Sequence, residues 1–257
     1  MELTGDRISK ALGTEQFGRV LQVHDTVTST NDLARVLADA GAPEGAVVIA
    51  REQLTGRGRL GRQWVSPRGG LYLSVILRPA QPLDEWPLLG FLLAVASCGA
   101  IDALTGLRTG VKWPNDVMIG SRKLGGVLVE ATPAFVVGGV GLNANLTPAT
   151  LGALENTATS IQALTGHPVE LSALAAMLLT KLEGAYSRLR TDKAWLLDEW
   201  RRRSVAMGRR IRVTGATTLE GVAEGIDDTG ALLIRTAEGV QVVRAGDVSI
   251  RLVETGE

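Results

Sequence analysis

The chain has 257 residues, enough for one large domain or for a main domain with a smaller one beside it. Lys+Arg and Asp+Glu each number 27, so the formal net charge is zero and no global field draws the protein to nucleic acid or to an anionic membrane. A single cysteine, Cys98, excludes an internal disulfide; it sits in an apolar run with no activating base near it in sequence, and reads as a buried thiol in a reducing compartment.

The N-terminus, MELTGDRISK, has acidic residues and no apolar h-region, so no secretion signal is expected and a cytoplasmic location is. Residues 19–27 (RVLQVHDTV) read as a strand. STNDLARVLADAG then carries a Ser/Thr/Asn start signal, an apolar stripe at Leu33, Val36, Leu37 and Ala40, and a Gly41 stop, which predicts a capped helix. A strand follows at 46–50 (AVVIA). Residues 55–64, TGRGRLGRQW, have no aliphatic periodicity. Glycine lets the backbone approach a ligand closely, and each arginine offers a planar fork of donors matched to carboxylate or phosphate. The segment reads as a mobile anion clamp, as a solvated basic loop, or as a patch that grips nucleic acid.

LYLSVIL (71–77) is the next strand. The apolar stretch from Trp86 to Leu104 fails as a membrane span, because Asp102 interrupts it within the roughly 20 residues a span needs, and Gly90, Ser97, Cys98 and Gly99 suit close packing. It is expected to be the central buried helix. Strands return at 111–113, 117–119, 124–131 and 135–142, the last two forming a hairpin through Thr132-Pro133. Residues 171–203 carry two helical patterns ending in Arg201, Arg202 and Arg203, a basic terminus suited to the helix dipole. From about Met207 the texture changes to short β runs at 209–215, 219–227, 231–236 and 240–253. The expected fold is α+β: a mixed, mostly antiparallel sheet with helices against it, then a small all-β module.

Two further stretches carry chemistry. In VKWPNDVMIGSRKLGGVLVE, Pro114 breaks a short strand, Asn115 and Asp116 sit in the turn, and Lys123 opens the next strand. Lys112 and Lys123 then neutralise phosphate charge, and Asp116 holds a magnesium ion or orients an amine; the alternative is an ordinary hairpin turn. In VVGGVGLNAN, Gly139 and Gly141 leave room for a flat ligand and Asn143 offers an amide to an adenine edge, or the segment is a tightly packed strand end. No Walker or Rossmann pattern competes.

TSTN at 28–31, EQLTGRGRLGRQW at 52–64, KWPNDV at 112–117, KLGG at 123–126 and GVGLNAN at 139–145 together resemble biotin protein ligases, in the family's order and approximate spacing. The resemblance implies a core like that of class II aminoacyl-tRNA synthetases over residues 1–205, and an SH3-like β-barrel over 206–257. It implies ATP-dependent biotinylation of a lysine on a biotin carboxyl carrier protein through biotinyl-5′-AMP, with ATP and Mg2+. By position, Ser29, Thr30, Asn31 and Gln53 would surround the biotin ureido ring, and Gly126, Gly139 and Gly141 would leave space for the bicycle. Arg57, Gly58 and Arg59 would cover the biotin carboxyl and the phosphate. Lys112 and Lys123 would neutralise phosphate, with Arg62 also on the nucleotide. Asp116 would act at the metal or the incoming amine, and Trp64, Asn115 and Asn143 would frame the adenine, Trp64 being otherwise a core anchor. Only about two dozen residues precede TSTN, too few for the helix-turn-helix of some members, so no DNA partner is expected; nor is a membrane. A monomer or weak homodimer is expected. KLGG has Gly125 where alanine is frequent in the family. Lipoate ligases share the chemistry and differ in the pocket.

Overall fold

The structure is a computed structural model that describes residues 3–154, 156–215, 218–244 and 249–252. The N-terminal segment, for which the sequence predicts no element, forms helix α1 (Gly5–Ala11), capped by the Thr4 hydroxyl, which accepts from Arg7 N. The chain continues through β1 (Leu21–Val27), α2 (Thr30–Asp39), β2 (Val47–Gln53), β3 (Leu71–Leu77), α3 (Leu88–Thr105), β4 (Gly110–Lys112), β5 (Asp116–Ile119), β6 (Arg122–Ala131), β7 (Val136–Leu142), α4 (Pro148–Leu151), α5 (Ile161–Thr165), α6 (Leu171–Leu189) and α7 (Lys193–Arg203). The seven strands make one sheet in the order β1-β2-β3-β7-β6-β5-β4. Because α2 carries the chain back across the sheet, β1 and β2 are parallel; every other neighbouring pair is antiparallel.

Alternation along the strands sorts side chains onto two faces. Leu71, Leu73, Val75 and Leu77 of β3 join the large core formed with α3 and α6, whereas Ile76 joins Val48 and Val137 beneath α2. Helix α3 is buried nearly all round and is the central helix that the sequence predicts. Among the described residues it is the one helix long and apolar enough to cross a membrane, and it is packed inside the protein. Its Cys98 is fully buried, and burial pushes the thiol up to about 11.

Helix α2 corrects one expectation. Val36, placed on the apolar stripe, is 62% exposed, and Ala40 is also exposed. The buried face runs through Thr30, Asn31, Ala34 and Ala38. Small alanines let the helix lie close on the sheet, with Leu33 and Leu37 only partly buried at its flanks. That rotation aims Thr30 and Asn31 at the sheet rather than at solvent.

After α7 come β8 (Arg210–Thr214), β9 (Thr218–Ile226), β10 (Leu232–Thr236), β11 (Gly239–Val243) and β12 (Ser249–Leu252), an antiparallel sheet in the order β11-β10-β9-β8-β12. This is the small SH3-like module. The single run expected at 240–253 resolves into β11 and β12, with residues 245–248 and 253 outside the described residues. The module is tied to the main sheet where Trp113 Nε1 donates to Gly230 O at 3.0 Å and Arg201 donates to Ile226 O at 2.9 Å. Arg203 pairs with Asp102 and Glu199, so the basic end of α7 is taken up by structure.

Candidate active site

A cavity of about 850 Å³ opens on the α2 face of the sheet, and every candidate site residue read from the sequence lines it. Its inner wall begins at the N-terminus of α2. Ser29 occupies the N-cap position without a side-chain cap bond; instead the first free N–H, on Thr30, donates to Gln53 Oε1 at 2.8 Å. The Thr30 hydroxyl donates to the same oxygen at 3.0 Å, and Gln53 Nε2 donates to Ser66 Oγ at 2.9 Å. Ser74 of β3 stands 2.8 Å from Thr30 Oγ1 and 2.6 Å from Asn31 Oδ1, and Asn31 Nδ2 donates to Glu130 Oε2 at 2.7 Å. Ser29, Thr30, Asn31 and Ser74 are all buried, so this wall is a hydrogen-bonded polar surface in a desolvated place.

The arginine-glycine segment folds over this wall as a short hairpin bridged at Gln53–Ser66 and Arg57–Gln63. Its tip turns through Leu60 at φ 60° and Gly61 at φ 68°. A left-handed leucine costs on the order of 1–2 kcal/mol, a strain typical of functional loops. Arg57 lies against Asp32 at 2.6 Å and Glu130 at 2.9 Å. Arg59 Nη1 donates to Asn115 Oδ1 at 3.3 Å, and the Asn115 amide donates to Val127 O at 2.6 Å. The Trp64 indole folds inward over the glycine floor. A Cβ on Gly141 would lie 2.5 Å from its Nε1, and one on Gly139 would collide with the Asn31 amide. The two glycines thus make room for Trp64 and Asn31, which in turn form the surface of the cavity. Trp64 is half-buried rather than a core anchor, and its Nε1 is buried without a hydrogen-bond partner among the described residues.

At the other end, Lys123 Nζ sits 2.5 Å from Asp116 Oδ1 and Lys112 Nζ 3.5 Å from Oδ2. Two ammonium groups share one carboxylate, which leaves one positive charge uncompensated within the trio. Lys123 is held from the backbone side: its N–H donates to Thr157 O and its carbonyl accepts from Thr159 N, both at 2.9 Å. It also lies 5.2 Å from the Trp64 ring centroid, a cation–π distance that joins the clamp to the cationic end. Asn143 is buried and donates to Thr159 O at 3.0 Å, so it steadies the same segment. With both Asp116 oxygens on lysines and no cluster of three or more metal-ligating residues among the described residues, this donor set does not fit a protein-held magnesium ion.

Sequence reasoning missed Ser66, Ser74 and Glu130 here, and also Arg209 and Arg251, which reach the rim from the C-terminal sheet. The signal for Glu130 was present. Gly126, Leu128 and Glu130 alternate along one face of β6, which puts a charged side chain in the row that continues from the glycine floor.

Comparison with known proteins gives a consistent set. Residues 23–145 match the biotin/lipoate A/B protein ligase family and residues 206–251 the biotin protein ligase C terminal domain. The chain is 37% identical to the biotin--[acetyl-CoA-carboxylase] ligase of Paracoccus denitrificans, over 86% of this chain and 96% of that one. It is 34% identical to the bifunctional ligase/repressor BirA of Bacillus subtilis, over 97% of this chain and 79% of that one. The biotin protein ligase of Aquifex aeolicus, solved in complex with biotin and ATP, superposes with a TM-score of 0.82 at 26% identity, over 91% of this chain and 100% of that one.

Proposed function

The chain belongs to the biotin/lipoate A/B protein ligase family, and from that premise we propose that it uses ATP to attach biotin to a lysine of a biotin carboxyl carrier protein. The observation that carries this reading is that one cavity joins a buried wall of amides and hydroxyls to a lysine pair under an arginine loop. Biotin has the same two ends: a ureido ring with one carbonyl and two N–H groups, and a carboxylate. The dithiolane of lipoate offers no such hydrogen bonds to the wall of Thr30, Asn31 and Gln53, and polar sites built to bond a substrate reject analogues that lack the matching groups.

In the first step a biotin carboxylate oxygen bonds to the α-phosphorus of ATP as the bond to the β-phosphate oxygen breaks, giving biotinyl-5′-AMP and pyrophosphate. Two anions must meet. Two unit charges 4 Å apart interact by about 4 kcal/mol at an effective dielectric of 20, so the net positive charge of the Lys112–Lys123–Asp116 trio, together with Arg59, offsets part of that repulsion. In the second step the carrier amine bonds to the carbonyl carbon, AMP leaves, and the amine loses a proton. Asp116, already fixed between two ammonium groups, orients that amine. Trp64 and the hairpin keep water from the anhydride, and the indole flanks the adenine. No step here runs through a metal held by the protein.

The test is pyrophosphate release from purified protein with ATP and either biotin or lipoate. Release with biotin alone supports the reading; release with lipoate at equal or greater rate overturns it.

A further inference from the structure

Glu130 closes the stretch that carries Asp116 and Lys123 without a role assigned to it there, yet its Oε2 is where the two halves of the site meet. That one oxygen accepts from Asn31 Nδ2 at 2.7 Å and from Arg57 at 2.9 Å. Asn31 is 5% exposed and belongs to the pocket wall; Arg57 belongs to the hairpin above it. An ionised carboxylate only accepts, so it fixes which way the Asn31 amide faces: Nδ2 toward Glu130 and Oδ1 toward Ser74, 2.6 Å away. Ser74 Oγ also lies 2.8 Å from Thr30 Oγ1, and the Thr30 N–H donates to Gln53, whose amide donates to Ser66 at the base of the hairpin. Glu130 thus stands at one end of a hydrogen-bonded chain along the wall and holds the clamp directly through Arg57. Asp32 also pairs with Arg57, at 2.6 Å, while Asn31 turns its amide to Glu130 instead.

We propose that Glu130 is a positioning residue that couples the biotin pocket to the clamp, by orienting the Asn31 amide and anchoring Arg57 through the same oxygen. Arg57 then serves as the hinge anchor of the loop, and the anion-facing work falls to Arg59 with the lysines. The proposal rests on the biotin reading for its substrate, not for its geometry.

Glu130→Gln and Asp32→Asn separate the two contacts. Both neutralise a partner of Arg57, but only the first disturbs Asn31. A lost hydrogen bond to a charged group corresponds to about tenfold or more, so Glu130→Gln raises KM for biotin about tenfold while KM for ATP moves less than twofold. It also raises labelling of a bystander protein by escaped adenylate. Asp32→Asn raises bystander labelling and leaves KM for biotin unchanged. Hydrogen exchange on the free protein gives a readout independent of substrate identity: residues 56–64 and the first turn of α2 exchange faster in Glu130→Gln, and only residues 56–64 in Asp32→Asn. Equal effects of the two variants on both regions, or faster exchange spread over the whole chain, overturn the coupling. Wild-type protein that forms no biotinyl-5′-AMP would defeat the biotin reading and leave the exchange result to decide the coupling by itself.

Discussion

In the proposed reaction Lys123 and Arg59 serve the same anion from different supports, and this difference sets what each substitution does. Lys123 projects from the start of β6, fixed by the 157–159 segment, while Arg59 rides on a strained hairpin tip. Lys123→Ala opens no core cavity and removes a pre-placed charge, so adenylate formation falls by the equivalent of about 2.7–4 kcal/mol with the fold intact. Single-turnover pyrophosphate release measures it, and near-normal turnover removes Lys123 from the chemistry. Arg59→Gly removes a charge-assisted contact and loosens the hinge, so the variant makes adenylate but lets it escape. Blotting for biotin after incubation with a carrier domain and serum albumin reads this: albumin labelling rises. A joint fall of carrier and albumin labelling shifts Arg59 into step one instead. Residue types at these positions were legible in the sequence because charged groups in glycine- and proline-broken segments have few structural reasons to be there. Glu130 carried only the weaker signal of its place in the row of Gly126 and Leu128, because a single acid on an amphipathic strand looks like a solvent-facing position until α2 and the hairpin close over it.

At the scale of elements, short apolar runs were informative: β3 and the β6–β7 hairpin lie where those runs and the Thr132-Pro133 turn put them. The face of α2 was misread, because large apolar residues suggested Val36 whereas close helix-to-sheet packing selected Ala34 and Ala38. Helix α1 was missed since its length is too short for a periodic signal, and tertiary contacts stabilise it. One such contact is testable. Glu183 of α6 accepts from the backbone N–H groups of Glu15, Gln16 and Phe17 at 2.7, 2.8 and 2.6 Å, tying the segment after α1 to the core. Partial burial by itself would raise its carboxyl, but these three donors and Arg19 hold it below the ordinary 4.5. A depressed folded pKa contributes stability above the unfolded value that is lost as pH falls through the folded value. Glu183→Gln therefore lowers Tm at pH 7, and the gap to wild type closes as pH drops below 4.5. A gap that is constant down to acid unfolding would show that the charge contributes nothing.

At the scale of the molecule, the neutral overall charge and the local concentration of cations belong together. A protein with no long-range pull on polyanions can still present a local cationic end, and the proposed reaction puts the nucleotide where Lys112, Lys123 and Arg59 line one cavity. The C-terminal module was legible as short β runs, but its arginines at the cavity rim were not, because nothing in a local pattern reports which surface a docked module turns inward. The central claim is that the cavity makes an activated biotin and delivers it to one acceptor lysine. Intact-mass and peptide mapping of a biotin carboxyl carrier domain, incubated with the protein, ATP and biotin, tests it most directly. The account predicts one biotin per carrier, on a single lysine, dependent on ATP and absent when biotin is replaced by lipoate; an unmodified carrier, or modification that proceeds without ATP, would contradict it.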